Sequence, residues 1–453
     1  MSEMSMIRLE KDFVKTTLRI AIPVMIQSLV AALMHIVDNV MIGQLGEAEI
    51  AAVTQANRVS FLFQLCIFGL SGATSVFCAQ YWGQKNMKGI RQTMGMSLVI
   101  CLFISIVFIT LCQSMPHAIM SCFLTEENVI QLSMQYLTIV SIGYLCQGIS
   151  VTLGAVQRST EQVRLAVLAS VIAIVTNTVL NYILIFGNFG APKLGVRGAA
   201  LATVIGCTIE TLIIVLGGYM LKLATAAKLK ELIPESKAQV LRYIKIATPI
   251  ICNEMLWSFG VMLYSVVYGR IGTGAVAAVS IFNNVEQLSS VVMRGMTQSC
   301  AVLVGKAIGE GKYDNAYGYA KRFMFYGSIL AILAGIVLIC ISGGVVGLFN
   351  VSDAVKYSAR MMIIFNGCAL FVNMLNTLYV VGIFRAGGDA KFSLIVDVGS
   401  VWVIGLPLIA ITGLVFKWDV QFVYSMTIVE NIVKAIVCTY RFRSKKWINN
   451  LVG

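Results

Sequence analysis

Polar residues that could bind a cation recur at helical spacing in the first long apolar segment of the chain. Gln27, His35 and Asp38 are spaced so that they share one helix face, roughly 80° wide. Inserting an Asp at the centre of a bilayer costs about 2.5–3.5 kcal/mol, and such a carboxylate commonly binds an ion or a proton, or is held by a neighbouring helix. The stripe therefore predicts a cation-exchange site at Asp38 or, alternatively, a structural helix contact. His35 could relay protons there or pack as a neutral imidazole.

Two amides form a second polar pair further along the chain. Asn177 and Asn181 are one helical turn apart in another apolar segment, so their side chains share a face. Their oxygens could converge on a cation, or on a protonated carboxylate, beside Asp38. The alternative is a structural role, because asparagine side chains commonly hydrogen-bond between helices in membranes.

A third group combines an acid with aromatic rings. Glu254, Trp257, Tyr264 and Tyr268 fall on one face of a later apolar segment. Ring faces attract a cation by roughly 0.5–2 kcal/mol, and the carboxylate supplies charge. This face is predicted to bind an organic cation, with Gln27 of the first stripe in the same substrate-binding set. The alternative is that the rings simply pack between helices.

The elements that must position these residues are membrane-spanning helices. Hydrophobic residues make up 58% of the chain and charged residues only 12%, whereas an ordinary soluble domain carries roughly 25% charged residues. We count twelve apolar stretches, each of about 20 residues and long enough to cross a bilayer as a helix. The predicted fold is therefore all-α and integral to the membrane.

The chain also repeats itself at one constant offset, equal to half of its length. Pro23 corresponds to Pro249, and Gly46 to Gly272. Six spans in each half make the two copies parallel, and transporters built from repeats place their substrate path between them, which predicts a transporter with its path between the two halves. The predicted domains are an N-terminal six-helix lobe (1–221), a cytoplasmic linker (222–242) and a C-terminal six-helix lobe (243–453).

The basic residues predict the orientation of the chain. Of 34 Lys and Arg, 25 fall on the side of the termini, six on the opposite side and three within spans. The positive-inside rule then places both termini in the cytoplasm, for a multi-pass protein of the plasma membrane. The net charge of +13 follows from this topology, so no nucleic-acid partner is expected. The cysteines and histidines form no ligand pattern, so neither a metal nor another cofactor is expected.

Several motifs together resemble the multidrug and toxin extrusion (MATE) transporters, over essentially the full length. They are VMIGQLG after Asp38, VQRSTEQ around Arg158, NYILIFGNFGAPKLGVRGAALATVIG over Asn181–Gly206 and FRAGGDAKF around Arg385. The resemblance implies two six-helix lobes around a central cavity. It also implies export of amphipathic, often cationic, compounds driven by inward flow of protons or sodium ions. Asp38 matches the family's ion-coupling Asp.

The resemblance also has two departures. Some members carry Asp where this chain has Asn181, which removes a negative charge and leaves the coupling ion open. Some bacterial relatives carry a seventh-span Glu three residues further on than Glu254, where this chain has Trp257. The predicted function is secondary active antiport of a small-molecule substrate by a monomer in contact with membrane lipid, without enzymatic activity.

Other classes of membrane protein fit less well. A flippase for a lipid-linked oligosaccharide or a related amphiphile shares the architecture, but its phosphate groups would favour more cationic residues than Arg58, Arg294 and Lys434. A major-facilitator transporter would carry a Gly-x-x-x-Asp-Arg pattern after the second span, and the loop there lacks it. The flippase is therefore the alternative function.

Further charged residues fall inside the predicted spans. Glu430 and Lys434 are four residues apart with the acid first, which predicts a helical ion pair. Asp397 is predicted either to line the C-terminal lobe or to pair with Arg385 or Lys391. The roles of the remaining four stay open at this point: Arg58, Glu210, Glu286 and Arg294.

Overall fold

The protein is described from a computed structural model that covers residues 3–349 and 351–453, without the side chains of residues 3–12, 35, 36 and 39. Over these ranges it is almost entirely helical and contains no β-strand. The first half contains α1 (Glu3–Gly43), α2 (Glu47–Gly83), α3 (Met87–Ser114), the short α4 (Pro116–Ser121), α5 (Glu127–Ser159), α6 (Val163–Phe186) and α7 (Val196–Met220). The second half contains α8 (Lys237–Ile271), α9 (Thr273–Gly309), α10 (Tyr313–Gly347), α11 (Asp353–Thr377), α12 (Ala390–Gly399), α13 (Leu406–Ala410) and α14 (Val420–Arg443).

Short π-helical stretches extend three of these helices. Leu378–Arg385 continues α11, Ser400–Gly405 joins α12 to α13, and Ile411–Val415 continues α13. Together α12 and α13 therefore form one apolar span, Ala390–Val415. Among the described residues, 11 helices are long and apolar enough to cross a membrane. The remaining long helix is α9, so the predicted all-α membrane fold with six long helices in each half is confirmed.

The sequence repeat is also a structural repeat. Helices α2 and α9 both contain 37 residues, and they begin at Glu47 and Thr273, two positions that the sequence repeat pairs. The starts of α3 and α10, and of α5 and α11, are separated by the same offset. Gly46 precedes α2 with φ 147° and Gly272 precedes α9 with φ 150°, a conformation that side chains disfavour. Glycine is therefore required at the same junction in both halves.

The described chain forms two compact units, and both boundaries between them fall within a helix, one in α1 and one in α8. The first unit is Ile26–Ala247, and the second is Thr248–Gly453 together with the start of α1 up to Met25. Both divisions lie beside a proline within a helix, Pro23 in α1 and Pro249 in α8. Proline removes a helical hydrogen bond and favours a kink. Compared with the predicted lobes, the start of α1 belongs with the second half and residues 222–242 belong with the first.

The start of α1 packs within the second unit through rings and small residues. The Phe13 ring lies 5.0 Å from that of Phe323 in α10, centroid to centroid. The hydroxyl of Ser299 in α9 donates to the Thr17 carbonyl at 3.3 Å. A side chain at Gly295 would collide with Met25, so this glycine lets α9 approach α1 closely.

The linker is held against α3 in the first unit. A side chain at Gly95 would collide with the backbone of Leu232, and Arg91 Nη1 lies 2.7 Å from Glu231 Oε1. The backbone N–H of Lys228, which donates to Glu231 at 2.7 Å, and then the Arg91 charge lower the pKa of the Glu231 carboxyl. The linker is therefore a docked part of the first unit.

Candidate functional site

The polar residues predicted in α1 and α6 lie together in the first unit. Asn181 Nδ2 donates to Asp38 Oδ1 at 2.9 Å, and Asn177 Oδ1 lies 3.4 Å from the same amide nitrogen. Asn177 Nδ2 in turn lies 3.4 Å from Thr203 Oγ1 in α7. We call these four residues the Asp38 cluster. His35 shares the helix, but its side chain lies outside the described part of the structure.

The Asp38 cluster has an unfilled acceptor. Asn181 is only 2% exposed, and its Oδ1 receives no hydrogen bond in the described structure. A buried amide oxygen without a donor is costly, whereas a proton on the adjacent carboxyl group or a small cation would give it a partner. The sequence did not predict Thr203 as a member of this cluster, although Thr203 is the first neutral polar residue of α7.

A second polar chain connects α1 to α7. Gln27 Nε2 donates to Ser170 Oγ at 2.8 Å, and the Ser170 hydroxyl donates to Glu210. Arg158 in α5 supplies an opposite charge to that carboxylate. Gln27, which was predicted to bind substrate, is therefore already hydrogen-bonded to a hydroxyl. Helix α1 contacts α6 through two polar side chains, Gln27 and Asp38.

The acid and rings predicted in α8 line a cavity within the second unit. Its volume is about 480 Å³, and Glu254, Trp257, Tyr264 and Tyr268 all contribute to its wall. Further rings come from Phe282 in α9 and Tyr424 in α14, whose centroids are 4.6 Å apart. We call this space the second-unit cavity.

Most charged groups of the second-unit cavity are already partnered. Arg385 Nη1 lies 2.6 Å from Glu254 Oε1, so the acid predicted to attract a cation already has one. Lys434 pairs with Asp397, whose second oxygen accepts from Asn253 Nδ2 at 2.8 Å. These two ion pairs place no net charge in the cavity.

Two predicted pairings are therefore wrong. Glu430 accepts from the Tyr264 hydroxyl at 2.8 Å and from Ser400 at 3.3 Å, and it is not the ion-pair partner of Lys434. Asp397 lines the cavity as one alternative predicted, but its partner is Lys434 instead of Arg385 or Lys391. The reason is that α12 packs against α14 and presents Asp397 to the lysine.

Glu286 in α9 is the cavity carboxylate that has no side-chain partner among the described residues, whereas Glu430, which also lacks a cation, accepts from two hydroxyl groups. Arg294, eight residues further on, donates to Ser290 Oγ at 2.9 Å. No side chain in the described ranges forms a hydrogen bond or an ion pair with the Glu286 carboxylate. The sequence leaves the role of Glu286 open, because whether it forms an ion pair depends on the direction of the Arg294 side chain.

Amide oxygens add to the acceptor character of the cavity. Asn253, Asn373 and Asn376 line it, and the Oδ1 atom of each is buried without a hydrogen-bond donor in the described structure. With four carboxyl groups against two cationic side chains, the lining is formally negative. Such a surface suits a ligand that brings positive charge and N–H or O–H donors.

Comparisons with known proteins agree with this architecture. The pattern of the MatE family matches residues 23–183 and again residues 249–411, so each match begins at one of the paired prolines. An uncharacterized transporter, YisQ, of Bacillus subtilis is 23% identical over 435 residues, covering 94% of this chain and 93% of the relative. A probable multidrug resistance protein NorM of Thermotoga maritima is 22% identical, covering 96% of this chain and 93% of the relative.

Solved structures show the same fold. A crystal structure of MATE in complex with MaL6 superposes with a TM-score of 0.86 at 20% identity, covering 95% of this chain and 97% of the other. A structure described as the outward-facing conformation of a multidrug resistance MATE family transporter gives 0.85 at 20% identity, covering 95% and 96%. The chain thus belongs to the MatE family of multi-pass membrane transporters, and it is a transporter rather than an enzyme.

Proposed function

We propose that this protein exports amphipathic organic cations in exchange for protons or sodium ions. The second-unit cavity is the observation that carries the proposal, because it combines aromatic rings, buried amide oxygens and Glu286, an acid with no ion-pair partner among the described residues. Its volume of about 480 Å³ falls within the range typical of small-molecule sites. The names of the relatives, which include multidrug resistance proteins, support the same class of substrate.

The charge balance of the cavity disfavours the flippase alternative. Phosphate groups need free cationic donors, and the two cations in the lining, Arg385 and Lys434, are each held by a carboxylate. An incoming phosphate would also meet Glu286 and Glu430. An organic cation meets no such repulsion, and its apolar part can pack on Trp257.

Within this proposal, Glu286 takes the role predicted from sequence for Glu254. The Glu254 carboxylate is balanced by Arg385 at 2.6 Å and has little charge left to offer a ligand. Glu286 lines the same cavity as the rings of Tyr268 and Tyr424. A cation over these rings would gain both the ring attraction and a direct charge interaction.

For ion coupling we propose the Asp38 cluster. Ionised Asp38 accepts a hydrogen bond from the Asn181 amide N–H. Once protonated, its O–H can donate to the unfilled Asn181 oxygen if the amide turns, and a sodium ion could instead bind both oxygens. Either ligand changes how α1 is held to α6. Exchange with the exported compound then requires that the two ligands differ in affinity between the transporter's states.

The test uses purified protein in liposomes loaded with a cationic dye and a neutral amphiphile of similar size. We expect Glu286→Gln to raise the KM for the cation about tenfold, the factor that roughly 1.4 kcal/mol gives, and to leave the neutral compound unchanged. The double variant Glu254→Gln, Arg385→Gln, which removes a neutral ion pair from the same cavity, is the matched comparison. A larger loss of cation selectivity with this double variant would contradict the assignment.

The driving ion is tested in the same liposomes. A proton gradient and a sodium gradient are applied separately. Each is directed so that the ion flows towards the side of the membrane that corresponds to the cytoplasm. Dye movement against its gradient is expected with one of them and not in protein-free liposomes. Transport that needs neither gradient, or movement of a lipid-linked sugar alone, would favour the flippase.

A further inference from the structure

A second, separate recess lies on the exposed side of the second unit, between α11 and α14. It has a volume of about 610 Å³ and shares no lining residue with the second-unit cavity. Small or buried residues such as Ala369 and Val372 form its floor, whereas Phe371, Ile436 and Tyr440 stand exposed at its edge. Both helices are long and apolar enough to span a membrane, and lipid is the apolar medium that such an exposed groove would meet.

The length of the groove suits an extended hydrocarbon chain. On α14 it is lined from Ile428 to Arg443, which is about 22 Å at 1.5 Å per residue. Half of a bilayer's hydrocarbon core is about 15 Å thick. An acyl chain of one leaflet could therefore lie along the groove while its headgroup reaches the Arg443 end.

Arg443 gives this end of the groove an unbalanced charge. Arg441 donates to Asp389 at 2.8 Å, and Lys445 lies 3.8 Å from Asp314. Arg443, the last residue of α14, is exposed and pairs with no carboxylate in the described ranges. A guanidinium at the end of a membrane span can bind a phosphate through two parallel hydrogen bonds.

We propose that this groove binds an anionic phospholipid, with one acyl chain along α14 and the phosphate on Arg443. Basic residues beside membrane spans attract anionic lipids by about 1 kcal/mol each. Arg443, the charged residue of the groove lining and without a carboxylate partner among the described residues, favours such a lipid over a zwitterionic one. The site lies outside the proposed transport site, so its occupant is a resident lipid rather than a transported compound.

The experiment measures lipid retention by the purified full-length protein, using native mass spectrometry. Phosphatidylglycerol and phosphatidylcholine of matched chain length are added in equal amounts. Arg443→Gln is expected to reduce phosphatidylglycerol retention about fivefold and phosphatidylcholine retention less, because the choline cation offsets the charge of its phosphate. Ala435→Phe, which fills the groove, is expected to reduce retention of both lipids. Lys446→Gln removes the same charge from an exposed residue outside the groove and should change neither.

Several outcomes would overturn the proposal. An equal effect of Lys446→Gln would mean that the attraction is diffuse surface charge. Competition by inorganic phosphate at the same concentration as the lipid would indicate a free anion site without a lipid chain. A dimer that dissociates on Ala435→Phe would identify a second copy of the chain as the occupant. Unchanged retention in both groove variants, which fold as judged by size-exclusion chromatography, would exclude a lipid there.

Discussion

The carboxyl groups of this protein differ chiefly in what already holds them. Glu254 has an arginine, Asp397 has a lysine, and Glu430 has two hydroxyl groups. Asp38 has an amide N–H and stands beside an amide oxygen that lacks a donor in the described structure. A carboxyl group whose hydrogen bonds and charge are satisfied by another helix holds the two helices together. A carboxyl group beside an acceptor that has no donor can take up a ligand that supplies one.

At Asp38 we predict a loss of coupling without a loss of fold. Asp38→Asn keeps the side-chain volume and can still bond to Asn181, so the variant should insert and should bind drug. It should not use the ion gradient, because a neutral amide cannot take up or release the coupling ion. Dye accumulation in liposomes under each gradient measures this.

Wild-type pumping by Asp38→Asn, with the wild-type dependence on pH and sodium, would show that the coupling ion binds elsewhere. In that case Glu286, which has no cationic partner in the described ranges, becomes the leading candidate. Asn177→Ala serves as a comparison, because it removes a neighbour of the cluster while keeping the carboxylate. It should weaken ion dependence without abolishing it.

At Lys434 we predict a structural effect. Removing one member of a buried ion pair leaves the other charge uncompensated, at a cost of about 3–5 kcal/mol. Lys434→Met should therefore lower the melting temperature in detergent clearly, whereas the exposed Lys446→Met should not. The double variant Asp397→Leu, Lys434→Leu should be more stable than Lys434→Met. If it were less stable, the pair would not be the source of the loss.

Residue pairings within one helix proved a poor guide to these partners. Glu430 and Lys434 have favourable helical spacing, but Lys434 forms its ion pair with Asp397, which lies on another helix. Arg385 reaches Glu254 across 131 positions of sequence, which no local pattern encodes. The sequence predicted Asn181 beside Asp38, with its amide oxygen as the interacting atom, whereas in the structure the amide N–H donates to the carboxylate.

At the scale of elements, the hydrophobic pattern predicted almost all of the helices. The starts of α2, α3 and α5 return at one constant offset in α9, α10 and α11, so one half of the chain predicts the other. The π-helical stretches have no such signal. The one at Leu378–Arg385 contributes Val380, Val381 and Arg385 to the cavity wall, consistent with the frequent occurrence of π-turns at functional sites.

The paired junction glycines give a test at this scale. Gly272 has a positive φ and open space around it, so Gly272→Ala adds backbone strain and no collision, at about 1–3 kcal/mol. Gly269, in the last turn of α8, also has open space but no positive φ. Gly269→Ala should be neutral or stabilising by up to about 1 kcal/mol. Comparable melting temperatures for the two variants would contradict this explanation.

For the whole molecule, the charge asymmetry predicts the orientation in the membrane. We propose that both termini and the linker face the cytoplasm. In a background without native cysteines, an impermeant thiol reagent added to intact cells should label a cysteine at Glu126, before α5. It should miss one at Ser236, within the docked linker. Labelling of the Ser236 position alone would reverse the topology.

The division of α1 at Met25 has a consequence for biosynthesis. The segment up to Met25 is translated before Ile26–Ala247, yet it belongs to the unit completed by Thr248–Gly453. Ile26–Ala247 is contiguous and can assemble while the rest is still being translated, as contiguous domains generally do. Phe13, Thr17 and Met25 in α1 therefore lack their partners in the second unit until α9 and α10 have been translated.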